Sequence, residues 1–283
     1  MRDDTSKVPT GIPTLDKYLR GGFRLGHVTM LLGRTGVGKT SVAIQVSVNV
    51  ARAGLGVAFA SLEMGREEVA LRALSALRAE GLDQVEGELR DAPAADLFDL
   101  SRVLPLFSVD DSNKPDWDDL SLWVQRQSEV FSQPVSLVVV DHLKLMRRYG
   151  YPRGEAERVQ QLAEDAKAFA KESRIALVML HQTGRANEAA EGKEKDHGHL
   201  PLSMESAMYG GEQDSDYILG VYRPELAAGL DAAARLSVEG RMYLQLLKNR
   251  HGAALASPGV ALRWDRPSFH LAEDEDVSEE SYL

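Results

Sequence analysis

Along the first two-thirds of the chain, β-branched apolar runs alternate with stretches of helical periodicity. Between Gly11 and about Gly150, HVTMLL (27–32) precedes a helical stretch beginning after Lys39, and VAFASLEM (57–64) precedes another from Arg66. This alternation predicts βαβ units and therefore a parallel sheet. The run SLVVVD, Ser136 to Asp141, is apolar almost throughout, as a strand covered on both faces must be, and is expected near the centre of that sheet.

From Glu155 to Lys171 the apolar residues Val159, Leu162, Ala163, Ala166, Phe169 and Ala170 fall on one stripe at 3.6-residue spacing, which predicts a helix packed on the sheet. The strand IALVMLHQ follows. Thr183 to Leu200 is polar and glycine-containing, and at that length reads as a mobile loop rather than a connector. Three further strand candidates, DYILGVYR, RMYLQLLKNR and GVALRWDRPSFHL, predict an antiparallel or mixed extension of the sheet. With no internal repeat and no Pro/Ser-rich linker, the economical division is an arm over 1–10, one domain over 11–271 and an acidic disordered tail over 272–283.

Composition narrows the chemistry. The 283 residues contain no cysteine, which removes disulfide frameworks, thiolate zinc sites and cysteine nucleophiles together. No stretch approaches the roughly 18 apolar residues of a membrane span and the N-terminus MRDDTSKVPT has no apolar leader core, so a cytoplasmic protein with no membrane partner is expected. The net charge of −10 opposes wholesale coating of nucleic acid. Six carboxylates, however, lie in Glu273 to Leu283, leaving about −4 for the rest and room for local basic patches.

The strongest chemical signal is GRTGVGKT, residues Gly33, Arg34, Thr35, Gly36, Val37, Gly38, Lys39 and Thr40, with Ser41 next. It fits G-x-x-x-x-G-K-S/T between a predicted strand and a predicted helix, the context a P-loop requires. The motif arises by chance in roughly one chain of this length in a hundred. Glycines let backbone N–H groups curl around a phosphate and the helix N-terminus adds positive potential. Lys39 would reach the β- and γ-phosphates and Thr40 would offer a hydroxyl to Mg2+. Asp141, ending LVVVD, suits the second magnesium position. Glu63, ending SLE, faces the ligand crevice of such a sheet and could take a proton from water, or it is a helix-start glutamate.

In order, SLEM, VVVDHLKLM, HQTGR, EQDSD and KNRHG resemble the motifs of the DnaB-like replicative helicase ATPase domain, over about Gly11 to Leu271. The opening GIPTLDKYLRGGFRLGHVTMLLG and KNRHG look equally like RadA, RecA and KaiC relatives, whereas SLEM and EQDSD favour DnaB. The resemblance implies a RecA-like α/β fold with a mainly parallel central sheet flanked by helices and extended by C-terminal strands. It also implies ATP and Mg2+ as cofactors, held by Lys39, Thr40 and Asp141, with Glu63 polarising water. Arg72 matches an arginine that contacts nucleotide, Gln182 a γ-phosphate sensor at a strand end, and Lys248 and Arg250 a pair that reaches a neighbouring subunit's γ-phosphate. In that pair Arg250 is the arginine finger and Lys248 its companion. Spacing alone puts Lys248 and Arg250 on one face of an extended strand, which suits either that role or a solubilising edge.

Ring motors of this kind grip single-stranded DNA with channel loops, and two segments occupy the corresponding places. The first, with Arg147, Arg148, Tyr149, Tyr151 and Arg153, interleaves cations and aromatics that suit phosphate neutralisation and base stacking. The second runs from Arg185 to Lys195 and also carries Glu188, Glu191 and Glu194. His197 and His199 beside Asp196 read as loop rather than metal ligands. Asp214 and Asp216 match EQDSD, and spacing does not assign them a role.

The implied activity is ATP-driven movement on single-stranded DNA by a homo-hexamer working with other replication or recombination proteins. A RecA/RadA-like strand-binding or loading ATPase and a KaiC-like regulatory ATPase are the alternatives. Relatives of the DnaB type usually carry an N-terminal primase-interacting domain and a linker helix. Ten residues precede Gly11 here, which predicts a stand-alone motor domain or another means of assembly.

Overall fold

The computed structural model describes residues 7–91, 100–147, 154–182, 201–204, 213–227 and 230–274. A short antiparallel pair, β1 (Lys7–Val8) and β2 (Phe23–Arg24), flanks helix α1 (Pro13–Tyr18). The main sheet contains β3 (His27–Gly33), β4 (Gly56–Ser61), β5 (Phe107–Asp110), β6 (Val135–Asp141), β7 (Ala176–Gln182), β8 (Tyr217–Tyr222), β9 (Arg241–Asn249), β10 (Leu255–Asp265) and β11 (His270–Glu273). Their order across the sheet is β11-β10-β9-β8-β3-β7-β6-β4-β5. The six strands from β8 to β5 are mutually parallel, and β9, β10 and β11 add antiparallel. This is the expected α/β architecture, with SLVVVD inside the parallel block.

Successive side chains on a strand face opposite sides, so an all-apolar strand feeds two cores. On β6, Leu137 and Val139 join the core beneath helices α2 (Lys39–Arg52) and α3 (Arg66–Arg78), while Val138 and Val140 join the opposite core. The latter packs against α6 (Trp117–Val130) and α7 (Glu155–Ser173), numbered after α4 (Leu82–Asp91) and α5 (Leu100–Val103). A last helix, α8 (Ala232–Ser237), precedes β9. Among the described residues, no helix is long and apolar enough to cross a membrane.

Two sequence expectations change. GVALRWDRPSFHL is not one strand: the turn at Arg266–Phe269 folds it into the β10–β11 hairpin. The ordered fold also reaches into the proposed arm and tail. Thr10 donates through both N–H and Oγ1 to Asp16, each at 2.8 Å, and Glu273 accepts the Thr14 N–H at 3.0 Å. Helix α2 ties these ends together, because Gln45 accepts the Leu271 N–H at 2.9 Å and Asn49 donates to the Thr10 carbonyl at 3.0 Å.

Candidate active site

The P-loop connects the C-terminal end of β3 to the first turn of α2. Gly36 and Gly38 take positive φ of 77° and 102°, and a Cβ at Gly38 would meet the Met242 methyl at 2.5 Å. The loop path therefore requires glycine there. Helix α2 opens at Lys39, so its first N–H groups and positive dipole end face the crevice beyond β3. The Lys39 ammonium bends over the loop and donates to the Gly33 and Arg34 carbonyls at 2.9 and 2.8 Å.

Thr40 Oγ1 donates to Asp141 Oδ2 at 2.7 Å, bringing the start of α2 to the end of β6. Burial raises the Asp141 carboxyl pKa, against the opposing pull of the Thr40 hydrogen bond. Burial likewise lowers Lys39 to about 8, partly offset by Asp141 and Glu63. Glu63, just beyond β4, is more than half exposed and its Oε2 lies 3.3 Å from His142 Nδ1. Parallel register accounts for the meeting, since Ser61 pairs with Asp141 at the ends of neighbouring strands and Gly33 with Gln182.

These groups share a cleft of about 420 Å³ whose walls include Lys39, Thr40, Glu63, Arg72, Asp141 and Gln182. Thr35, Gly36, Gly38 and Ser41 also line it, while Val37 is buried beneath the loop. Arg72 on α3 donates to Glu68 at 2.6 Å, and its guanidinium lies 4.7 Å from the Phe269 ring centroid. A larger groove of about 850 Å³ between α6 and α7 has no phosphate-binding loop on its walls, so the smaller cleft is the chemical one.

Sequence reasoning missed the cleft's outer wall. Met64, Glu68, His142, Trp264 and Phe269 line it, and the last two were hidden by reading the hairpin as a single strand. It also missed Arg223, which is buried against Trp264 with its guanidinium 4.2 Å from the ring centroid. Arg223 donates to Glu225 at 2.9 Å and reaches the Gly36 carbonyl at 3.5 Å. Burial pulls Arg223 down and pushes Glu225 up. For Glu225, hydrogen bonds from the Gly240 N–H, Arg223 and Arg266 prevail and leave it below the usual carboxylate range. An isolated Arg two residues before a Glu carries no sequence signature of this role.

Lys248 and Arg250 are not at this cleft. Strand β9 runs antiparallel to β8, with Tyr222 opposite Tyr243 near the P-loop end and Tyr217 opposite Asn249 at the far end. The Arg250 N–H donates to the Asp216 carbonyl, whose own N–H donates to Val28. Arg250 thus sits five residues back along β3 from Gly33, roughly 16 Å along the strand axis. Strand β9 ends at Asn249, so Lys248 lies on the strand and Arg250 in the turn that follows. Asp216, unassigned by spacing, is buried there. It accepts the Val28 N–H at 2.9 Å and Lys167 Nζ at 2.5 Å.

Arg147 donates to Asp116 and Asp119 at 2.8 and 2.9 Å, binding the segment after β6 to the capping box of α6. Arg148, Tyr149, Tyr151, Arg153, Arg185, the Thr183–Leu200 loop with its histidines, and residues 275–283 lie outside the described residues.

Known proteins resemble this chain in sequence and in fold. The family model described as DnaB-like helicase C terminal domain matches residues 7–267. The replicative DNA helicase DnaB of Helicobacter pylori strain J99 is 29% identical over 221 residues, 76% of this chain and 44% of that protein. The replicative DNA helicase DnaB of Pasteurella multocida is 28% identical over 289 residues, 96% of this chain and 57% of that protein. The chain thus spans about half the length of these relatives. A solved structure described as that of a DnaB-like replicative helicase and its interactions with primase superposes with a TM-score of 0.77 at 19% identity, covering 95% of this chain and 62% of that one. That likeness concerns the fold. RadA and KaiC kinship is not favoured, and the chain belongs to the family of the DnaB-like helicase C terminal domain.

Proposed function

We propose that this chain is the motor of an ATP-dependent DNA helicase of the DnaB type, hydrolysing ATP at the seams of a homo-hexameric ring and moving on single-stranded DNA. The observation that supports this reading is where the expected site residues lie on the sheet. Lys39, Thr40, Asp141, Glu63, Gln182 and Arg72 share a cleft at one end of the sheet, whereas Arg250 stands at the other end, out of reach of a nucleotide in that cleft, as a residue acting on a neighbouring copy's nucleotide would.

The Thr40 hydroxyl and Asp141 carboxylate are hard oxygen donors 2.7 Å apart, and together they fit Mg2+. Bound there, the ion neutralises phosphate charge. Lys39 leaves the two carbonyls for the β- and γ-phosphate oxygens, and Glu63 accepts the proton of the attacking water. Gln182 contacts the γ-phosphate and Arg72 the nucleotide. The partner copy's arginine finger, with Lys248 as its companion, stabilises the charge that develops in the transition state. Arg147, Arg148, Tyr149, Arg153 and Arg185 serve the DNA strand, and residues 11–271 constitute the motor. The setting is the cytoplasm, alongside other replication or recombination proteins.

The test is ATP hydrolysis stimulated by single-stranded DNA, together with strand separation on a forked duplex, in the parent and in Lys39→Ala. Both activities are expected to vanish in the variant. Undiminished unwinding by Lys39→Ala would dismiss the reading.

A further inference from the structure

At the end of the sheet opposite the P-loop, three side chains from separate segments converge. They are His27 at the start of β3, Asp216 just before β8 and His251 in the turn after β9. One ligand atom of each lies within 4.8 Å of the other two. The two imidazoles stand edge to face with centroids 4.8 Å apart.

The nitrogens are arranged for ligation. His27 Nδ1 is 3.0 Å from the Leu25 carbonyl. A hydrogen bond there puts the proton on Nδ1 and leaves Nε2 with a lone pair. Metal-ligating histidines are oriented in this way, with the second ring nitrogen donating to a backbone carbonyl. His251 Nε2 is buried and has no hydrogen-bond partner among the described residues, an arrangement rare enough in folded proteins to need a cause. Asp216 Oδ2 accepts from the Val28 N–H and Lys167, while its Oδ1 faces the long 3.6 Å approach of Arg250.

We propose that His27, Asp216 and His251 form a binding site for a divalent transition metal of the zinc class, with water as the fourth ligand. Two imidazoles and one carboxylate suit Zn2+, whereas Mg2+ and Ca2+ select oxygen donors. Tetrahedral ligands at zinc distances stand roughly 3.4 Å from one another, so small rotations of the two half-buried rings close the site. Lys167 already neutralises Oδ2, and with Arg24 it limits the affinity for a dication. The metal takes Oδ1 in place of the Arg250 guanidinium, so ion and guanidinium exclude each other. This site is separate from the nucleotide cleft and requires no hydrolysis to be detected.

Co2+ titration of the whole chain in excess Mg2+, followed by its visible absorption, tests the proposal. The excess Mg2+ competes for the carboxylates of a second donor group, Glu63, Asp141 and His142, and the His142→Ala variant reports any Co2+ that binds there instead. One equivalent of Co2+ with tetrahedral d–d bands is expected, displaceable by Zn2+. Each of His27→Gln and His251→Ala is expected to weaken it by more than about 100-fold, since even ligand-supporting groups account for 10- to 100-fold. His142→Ala is expected to leave it intact, and Arg250→Ala to tighten it several-fold. Absence of the bands in the parent, or undiminished bands in His251→Ala, overturns the site. His251 is in a turn, so its variant, checked by circular dichroism, decides the matter even if His27→Gln fails to fold. Unchanged or weaker Co2+ binding in Arg250→Ala overturns the exclusion between ion and guanidinium.

Discussion

Arg250 is fixed to Asp216 at two points: its backbone N–H donates to the Asp216 carbonyl at 3.1 Å, and its guanidinium lies 3.6 Å from Oδ1. Because Asp216 is buried and also holds the Val28 N–H and Lys167, it sets the position of Arg250, the proposed finger, from inside the fold. Asp216→Asn keeps the shape and removes the charge. It is expected to lower stability by about 1–3 kcal/mol in urea unfolding and to slow hydrolysis while nucleotide affinity stays within about twofold of the parent. A parallel loss of affinity would mean that Asp216 does not act through Arg250.

The proposed division of labour across the sheet gives a complementation experiment. If Arg250 acts in trans, Arg250→Ala retains an intact cleft and Lys39→Ala an intact finger, so each alone is expected to lose at least about 10³-fold in turnover. In rings mixed at random from equal amounts, about a quarter of the seams join a competent cleft to a competent finger. Hydrolysis should therefore return to a comparable fraction of the parent rate. Verified mixed rings without activity would place Arg250 elsewhere.

Lys39 titrates near 8 because burial outweighs its attraction to Asp141 and Glu63. A bound triphosphate restores the proton, so nucleotide affinity should be flat below pH 8 and fall by up to about tenfold per pH unit above it. The sign for stability is opposite. The folded, nucleotide-free protein holds fewer protons than the unfolded chain between about 8 and the ordinary lysine value, so this group's contribution to stability rises through that window. Lys39→Met should abolish nucleotide binding and raise the melting temperature of the nucleotide-free protein at pH 7. Fluorescent-nucleotide titration from pH 7 to 9.5 and thermal melting measure the two effects.

Glu63 stands at the wall of the cleft that holds Lys39, Thr40 and Asp141, more than half exposed and 3.3 Å from His142, where a water attacking a bound triphosphate can reach it. Glu63→Gln is expected to reduce kcat by about 10²- to 10⁴-fold, with Kd for nucleotide nearly unchanged. A variant that loses binding and turnover equally would assign Glu63 to nucleotide positioning instead.

The sequence carried whatever depends on spacing along one element. GRTGVGKT must bend and then open a helix, and the apolar run before Asp141 can only be a covered strand, so Lys39, Thr40 and Asp141 were legible as a set. Glu63 and Gln182 were legible too, since Gln182 ends one parallel strand, Glu63 follows two residues after the end of another, and the ladder brings those ends to one rim. What depends on a turn between strands was not. The four residues Arg266–Phe269 contain a proline but no Asn-Gly or Asp-Gly signal, so the hairpin that delivers Trp264 and Phe269 read as a continuous strand. The buried contacts of Arg223 and Asp216 were equally invisible, because burial of a charge is decided by partners distant in sequence.

Arg223 links that missed wall to the P-loop. Its guanidinium stacks on Trp264, donates to Glu225 and reaches the Gly36 carbonyl, so it braces the phosphate-binding turn from behind without lining the cleft. In Arg223→Ala, Glu225 keeps Arg266 and the Gly240 N–H, which spares it from standing as an unpaired buried charge. The loss expected is therefore about 2–4 kcal/mol in stability, with nucleotide affinity weakened by about tenfold as the turn loosens. Lysine cannot stack and fork at once, so Arg223→Lys should recover part of the stability but little of the affinity. Equal recovery of both in the lysine variant would show that charge alone supports the turn and that the planar contact with Trp264 does not.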